Sequence, residues 1–132
     1  MPYLLDADTL SFVVRRIPRV LERLARAHPS SISVSVITLM ELEYGLARQP
    51  EKRPRVEAFL RPLLSQVQVL PFLETDARAA AQCRAVLDER GRSIGAYDVM
   101  ITGTALSRGM TVVTGNAREY RRIDGLAVED WR

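Results

Sequence analysis

The residues of this 132-residue chain that could do chemistry are acidic, and they recur in one setting. In Tyr3-Leu4-Leu5-Asp6-Ala7-Asp8-Thr9-Leu10 a short apolar stretch ends in two aspartates at i and i+2, followed by a hydroxyl residue. Glu41, Asp98 and Asn116 each come just after an apolar segment as well. An apolar run cut off by polar residues reads as a buried parallel strand, and open α/β sheets bind ligands at the carboxyl ends of such strands. Carboxylates gathered at that edge repel by roughly 4 kcal/mol per pair at about 4 Å and an effective dielectric of ~20. Such a group calls for divalent cations, and hard oxygen donors suit magnesium. Two-metal sites hold the attacking and leaving oxygens of a phosphoryl displacement.

Each residue also has a purely structural reading. Asp8 or Asp6 could N-cap a helix beginning near Thr9, with Asp8 the better candidate because Asp6 ends the strand. Glu41 lies on a helix with one stripe of Val36, Ile37, Met40, Tyr44 and Ala47 and another of Leu39, Leu42 and Leu46. That helix reads as largely buried, with Glu41 and Glu43 in the gaps between the stripes. A carboxylate held there needs a partner or a metal, and periodicity leaves open which of the two faces the site. Asp98 shares a face with Ile101, Thr102 and Ala105, where the alternative is a buried Asp–Arg pair. Asn116, in Thr114-Gly115-Asn116, could equally be a turn or capping residue.

The elements that would position these residues alternate between short apolar strands and amphipathic helices, which predicts an α/β fold with a mostly parallel central sheet of about five strands. Strands are expected near Tyr3–Asp6, Ile32–Val34, Val67–Leu70, Thr111–Thr114 and, as a short edge, Ala127–Asp130. Helices are expected near Thr9–Arg15, Arg19–Ala27, Val36–Ala47, Arg55–Leu60, Asp76–Arg90, Ala96–Arg108 and Ala117–Arg121. Pro18 and Pro29 bracket the second helix, and Thr75 can N-cap the helix starting at Asp76. Gly91 and Gly109 fall where glycines end helices after arginines, and Gln49–Arg55 reads as a polar loop. With no repeat, low-complexity tract or linker, residues 1–132 are expected to form one domain.

Composition narrows the classes. A hydrophobic content of 47% with 27% charged residues is ordinary for a soluble globular protein. No apolar run approaches the roughly 20 residues of a membrane span, and the N-terminus lacks the pattern of a signal peptide. The single Cys83 cannot form an intramolecular disulfide, so a cytoplasmic protein is expected. The lone His28 excludes a paired-histidine ribonuclease and, with one cysteine, a zinc finger; it reads as a cation near a helix C-terminus. Walker A and G-x-G-x-x-G motifs are absent. Net charge is +3, but all except Lys52 of the 19 Lys+Arg are arginine, a side chain suited to phosphate.

Taken together, these segments resemble the PIN-domain ribonucleases, and among them the VapC-type toxins of type II toxin–antitoxin systems. The resemblance rests on Leu4-Leu5-Asp6-Ala7-Asp8-Thr9-Leu10, on Ile37 through Leu46, and on Ile94-Gly95-Ala96-Tyr97-Asp98. Val113-Thr114-Gly115-Asn116-Ala117-Arg118-Glu119-Tyr120 and Gly125 through Trp131 complete it. It implies a PIN-like α/β domain in which Asp6, Glu41 and Asp98 are acidic ligands of Mg²⁺ or Mn²⁺, with Glu41 selected over Glu43. Asn116 falls where relatives carry Asp or Asn, as a weaker or outer-sphere ligand. Asp8 stands where Asn is common and adds a negative charge; Thr114 and Glu119 are accessory candidates.

The resemblance further implies a metal-dependent endoribonuclease that cuts structured RNA, with tRNA, and the initiator tRNA anticodon stem-loop in particular, as the expected target. Arg118, Arg121 and Arg122 are candidates for holding backbone phosphates. The expected partners are a VapB-type antitoxin whose tail blocks the site, a second copy of the chain, and DNA only through the antitoxin. Val56, Phe59, Leu60 and Leu63 form one possible dimer surface.

Two rivals stand against this. Asp6-Ala7-Asp8-Thr9 matches the Asp-x-Asp-x-Thr signature of haloacid-dehalogenase-type phosphatases. That chemistry needs a cation on the phosphoryl group, and Lys52 sits in a polar loop; a phospho-accepting receiver domain fails on the same lysine. The second rival is a catalytically inert PIN-like RNA-binding module, which retention of Asp6, Glu41 and Asp98 argues against.

Overall fold

The computed structural model describes residues 2–132. Five short strands, β1 (Tyr3–Leu5), β2 (Ile32–Ser35), β3 (Gln68–Leu70), β4 (Thr111–Val113) and β5 (Ala127–Glu129), form one sheet in the order β3-β2-β1-β4-β5. Every pairing is parallel, with Leu5 in register with Val34 on one side and Val113 on the other. The chain builds outward from β1 to β2 and β3, then crosses back to lay β4 against the opposite flank of β1. The strand order therefore reverses between β1 and β4, which opens a crevice at their carboxyl ends.

Seven helices cover the sheet: α1 (Ala7–Val14), α2 (Pro18–Arg26), α3 (Val36–Arg48), α4 (Arg53–Leu64), α5 (Glu74–Glu89), α6 (Ala96–Arg108) and α7 (Ala117–Tyr120). Because successive strand residues face opposite sides, Leu4 and Leu5 feed two different cores. Leu5 joins Leu10, Val13, Val20, Leu60 and Trp131 beneath α1, α2 and α4. Leu4 joins Cys83, Leu87, Ile101, Ala105 and Tyr120 beneath α5, α6 and α7. Burial of each such leucine contributes about 1.5–3 kcal/mol. Gly109 ends α6 at φ 64° and Gly91 follows α5 at φ 66°, both left-handed conformations in which glycine is least strained.

Several sequence expectations shift. The N-cap of α1 is Asp6 and not Asp8: β1 stops at Leu5, so Asp6 is free to cap, and Asp8 lies inside the first helical turn. α5 starts at Glu74, and the Asp76 side chain accepts from the Leu73 N–H at 2.8 Å, so Thr75 caps nothing. The expected loop over Gln49–Arg55 is a 3-10 turn (Pro50–Lys52) leading into α4, which runs through Pro62 to Leu64. His28, just past the end of α2, also caps the 3-10 turn Pro29–Ser31, its Nδ1 accepting from the Ser30 N–H at 3.2 Å. α3 is not buried all round, since Val36, Met40 and Tyr44 are exposed along one face. Of the expected dimer surface, Leu60 is 1% exposed and belongs to the core, while Val56, Phe59 and Leu63 are half-buried.

Candidate active site

Four segments deliver polar side chains to the crevice between β1 and β4. Asp6 follows β1 directly. Its N–H donates to Val113 O at 3.1 Å, and its Oδ1 accepts from the Thr9 N–H at 3.0 Å. The Thr9 hydroxyl donates to the same Val113 carbonyl at 2.8 Å, clamping the start of α1 to the end of β4. Ser35 caps α3 by accepting from the Ile37 N–H at 3.0 Å, and this start presents Glu41 inward. Glu43 points away and is held by Arg53 at 2.9 Å, which leaves Glu41 as the carboxylate of α3 at the site. Asp98 sits in the first turn of α6, just past Gly95. Asn116 follows β4, its N–H bonded to the Thr114 hydroxyl at 2.9 Å and its side-chain amide donating to Glu119.

Asp6, Ala7, Asp8, Glu41, Asp98, Asn116 and Tyr120 line one polar pocket of about 240 Å³. The expected set is thus brought together, with Thr114 behind it and Glu119 at its edge. Asp98 has no arginine partner. Its Oδ1 accepts from the Tyr120 hydroxyl at 2.9 Å, a contact that sequence reasoning missed, although Tyr120 lay within a quoted motif. Gly115 is required by close packing, because a Cβ there would lie 2.6 Å from the Phe12 ring and 3.3 Å from Asp8 Cβ.

The electrostatics follow from crowding. Burial, with repulsion from Asp8, pushes the Asp6 carboxyl up to about 7, although hydrogen bonding from Thr114 and Thr9 opposes the rise. Burial and then repulsion from Asp98 and Asp8 raise Glu41. Burial raises Asp98 too, against the Tyr120 hydrogen bond and with Glu119 and Asp8 adding to the rise. Asp8 therefore acts on all three. Among the described residues none of Asp6, Asp8, Glu41 and Asp98 is in an ion pair. An all-oxygen donor set, crowded and uncompensated, fits a hard divalent cation. As they stand, no three His, Cys, Asp or Glu side chains among the described residues are drawn into a closed metal cage. The donors are gathered without being locked around a fixed centre.

The three candidate phosphate-holding arginines do not form one cluster. Arg118 is exposed on α7, and Arg121 sits near Asp130. Arg122 turns to a separate cavity of about 440 Å³ with Arg90 and Asp124. Nearer the acidic pocket is Arg132, which lies 4.7 Å over the Phe12 ring and donates to Gly115 O at 2.8 Å, while an ion pair with Asp130 holds it in place. Lys52 lines a different, mainly apolar groove, so the cation that a phosphatase would need is absent from the acidic pocket.

A parallel sheet whose strand order reverses over a carboxylate-lined crevice is an open α/β architecture with its ligand site at the switch point. The PIN domain model matches residues 3–126, and the chain belongs to the PIN-domain family, within its VapC branch. It is 37% identical to the tRNA(fMet)-specific endonuclease VapC of Salmonella typhimurium over 99% of this chain and 98% of that protein. It is 34% identical to the tRNA(fMet)-specific endonuclease VapC of Shigella flexneri over the same shares. Among solved structures, the DNA-bound VapBC of Salmonella typhimurium superposes with a TM-score of 0.88 at 38% identity, covering 100% of this chain and 99% of that one. VapBC2 of Rickettsia felis, bound to a promoter DNA fragment, gives 0.91 at 26% identity with full coverage of both chains. This membership sets aside the phosphatase and receiver readings. Among the described residues no helix is long and apolar enough to cross a membrane.

Proposed function

We propose that this chain is a metal-dependent endoribonuclease, the toxin of a VapBC-type pair, acting in the cytoplasm on tRNA and so inhibiting translation. The observation that carries this reading is the convergence of Asp6, Glu41, Asp98 and Asn116 in one unpaired acidic pocket at the sheet's switch point. Asp6, Glu41 and Asp98 are the ligands for Mg²⁺ or Mn²⁺, with Asn116 weaker or outer-sphere. When bound, the ion supplies charge neutralisation on the phosphodiester and a more acidic water.

The chain's own residues do the positioning. Thr9 and Thr114 hold Asp6 from two sides, and Tyr120 holds Asp98. Glu119 orients the Asn116 amide through its hydrogen bond. Asp8, free of any ion pair at the mouth, keeps the pocket negative until a cation enters. Arg132, bonded to Gly115 O beside the pocket, is a contact for a flanking phosphate, where guanidinium forks bind well.

The initiator tRNA as substrate is supported by the likeness to the tRNA(fMet)-specific endonucleases of Salmonella and Shigella. A VapB-type antitoxin, and contact with DNA through that antitoxin alone, are supported by the VapBC complexes that superpose on the chain. A homodimer is part of the same reading, and the exposed Val36, Met40 and Tyr44 of α3 offer an apolar face for it.

The test is cleavage of purified total tRNA by antitoxin-free protein with Mg²⁺ or EDTA, comparing wild type with Asp98→Ala on a denaturing gel. Discrete fragments that need both the metal and Asp98 establish the activity. Equal cleavage by Asp98→Ala would mean that the activity does not come from this pocket and sinks the reading, whereas no cleavage by folded wild type on any RNA favours the inert binding module.

A further inference from the structure

We propose that Tyr120 is a positioning residue for the metal site, acting through Asp98; this rests on the reading of the pocket given above. The Tyr120 side chain is 1% exposed and anchored in the core with Leu4, Ile101, Val112 and Ile123. Its hydroxyl emerges from that core into the floor of the acidic pocket and donates to Asp98 Oδ1 at 2.9 Å. Asp6 and Asp8 bear on the same hydroxyl electrostatically, so it lies among three carboxylates and has one proton to give. The bond goes to Asp98 alone.

That choice matters because the terminal torsion of an aspartate is broad and roughly two-fold, so an unsupported carboxylate samples many orientations. The other oxygen, Oδ2, lies on the side of Gly95, 3.4 Å from where a Cβ would stand. The Tyr120 hydrogen bond on Oδ1 is therefore what fixes the carboxylate's rotation. Because the phenol ring is fixed by the core, its hydroxyl is a rigid donor. Asp6 has comparable support from Thr9 and Thr114. Among the described residues Glu41 accepts no such side-chain hydrogen bond. Tyr120 and Thr9 therefore hold two of the three carboxylates that would ligate the ion.

Groups that hydrogen-bond a ligating carboxylate tune metal affinity, and their loss typically costs 10–100-fold. The experiment is calorimetric titration of antitoxin-free protein with Mn²⁺, alongside thermal unfolding in EDTA. Tyr120→Phe keeps the ring and removes only the hydroxyl; Tyr120→Leu also loses ring packing. Expected is Mn²⁺ affinity about tenfold weaker in both variants. Thermal stability in EDTA is expected to stay near wild type for Tyr120→Phe and to fall for Tyr120→Leu. Cleavage by Tyr120→Phe is expected to recover at saturating Mn²⁺. Wild-type Mn²⁺ affinity in Tyr120→Phe, with Tyr120→Leu changed only in stability, would overturn the proposal and leave Tyr120 a packing residue. If wild type takes up no Mn²⁺, or Asp98→Ala takes it up normally, the metal-site reading itself is wrong and this proposal goes with it.

Discussion

Asp6 Oδ1 lies 3.0 Å from the backbone nitrogen of Thr9, so the residue at the heart of the acidic pocket is also the N-cap of α1. One side chain thus serves helix and site at once, and the two roles separate by substitution. Asparagine caps as well as aspartate, whereas alanine loses about 1 kcal/mol of capping. Asp6→Asn should abolish Mn²⁺ binding and raise the melting temperature of metal-free protein, because a buried, repelled charge is gone. Asp6→Ala should abolish binding and be the less stable of the two variants. Equal melting temperatures for the pair would deny Asp6 the capping role.

The Asp76–Arg108 pair lies far from the pocket and carries stability instead. Asp76 is fully buried, accepts from Arg108 at 2.8 and 3.2 Å and from Ser107, and caps α5 through the Leu73 N–H. Burial alone would raise its pKa, but these donors overcome it and hold the carboxyl at about 2. A folded-state value below the unfolded one stabilises the protein above the unfolded pKa, and the contribution is lost as pH falls. The stability at issue is about 2 kcal/mol, disappearing between about pH 4 and pH 2. Asp76→Asn should flatten that limb of an acid-denaturation curve. Arg108→Ala should cost about 3–5 kcal/mol, since it leaves a buried charge unpaired.

Gly115 lets the β4–α7 turn pass against the Phe12 ring. Gly115→Ala places a methyl where the ring now is, with Asp8 close behind. Overpacking of this kind costs about 1–3 kcal/mol. Because the displaced segment carries Asn116, cleavage should fall more than stability does. Restored activity in Gly115→Ala with Phe12→Leu, which makes room, would confirm the steric cause by a simple gel assay.

Arg132 should act on substrate capture more than on turnover. Arg132→Ala is expected to raise KM for RNA with little change in kcat, and to shallow the salt dependence of binding by roughly one phosphate contact. An unchanged KM across a salt series would remove Arg132 from the RNA path.

Self-association is expected through α3 and not α4. Met40→Asp together with Tyr44→Asp should yield a folded monomer by light scattering, while Leu60→Asp should simply unfold the chain. A persistent dimer in the α3 double variant would move the interface elsewhere.

The strands and the carboxylates of the pocket were legible in the sequence because they depend on local pattern: apolar runs of strand length, each cut off by a polar residue. What was not legible depends on distance along the chain or on a single residue of register. Asp6 and not Asp8 caps α1 because β1 ends with its apolar run at Leu5, one residue before the strand end expected at Asp6. The apolar surface of α3 reads as burial, yet Val36, Met40 and Tyr44 face outward, since periodicity reports apolarity and not what covers it. Asp98, for which a buried Asp–Arg pair was the structural alternative, bonds Tyr120, 22 residues on, and Asp76 finds Arg108 at a separation of 32. No local pattern encodes such pairings. The arginines at 118, 121 and 122 are adjacent in sequence but diverge around the short α7.

The clamp between Thr9 and Val113 spans a separation of 104 residues, and β1 needs β4 beside it to complete its ladder. Loop closure on that scale is entropically late, so folding cannot be nucleated from the N-terminus alone. A chain emerging from the ribosome carries Asp6 first and Asn116 nearly last. During synthesis the acidic pocket is therefore incomplete: Asp6, Glu41 and Asp98 meet Asn116 only once β4 has docked against β1.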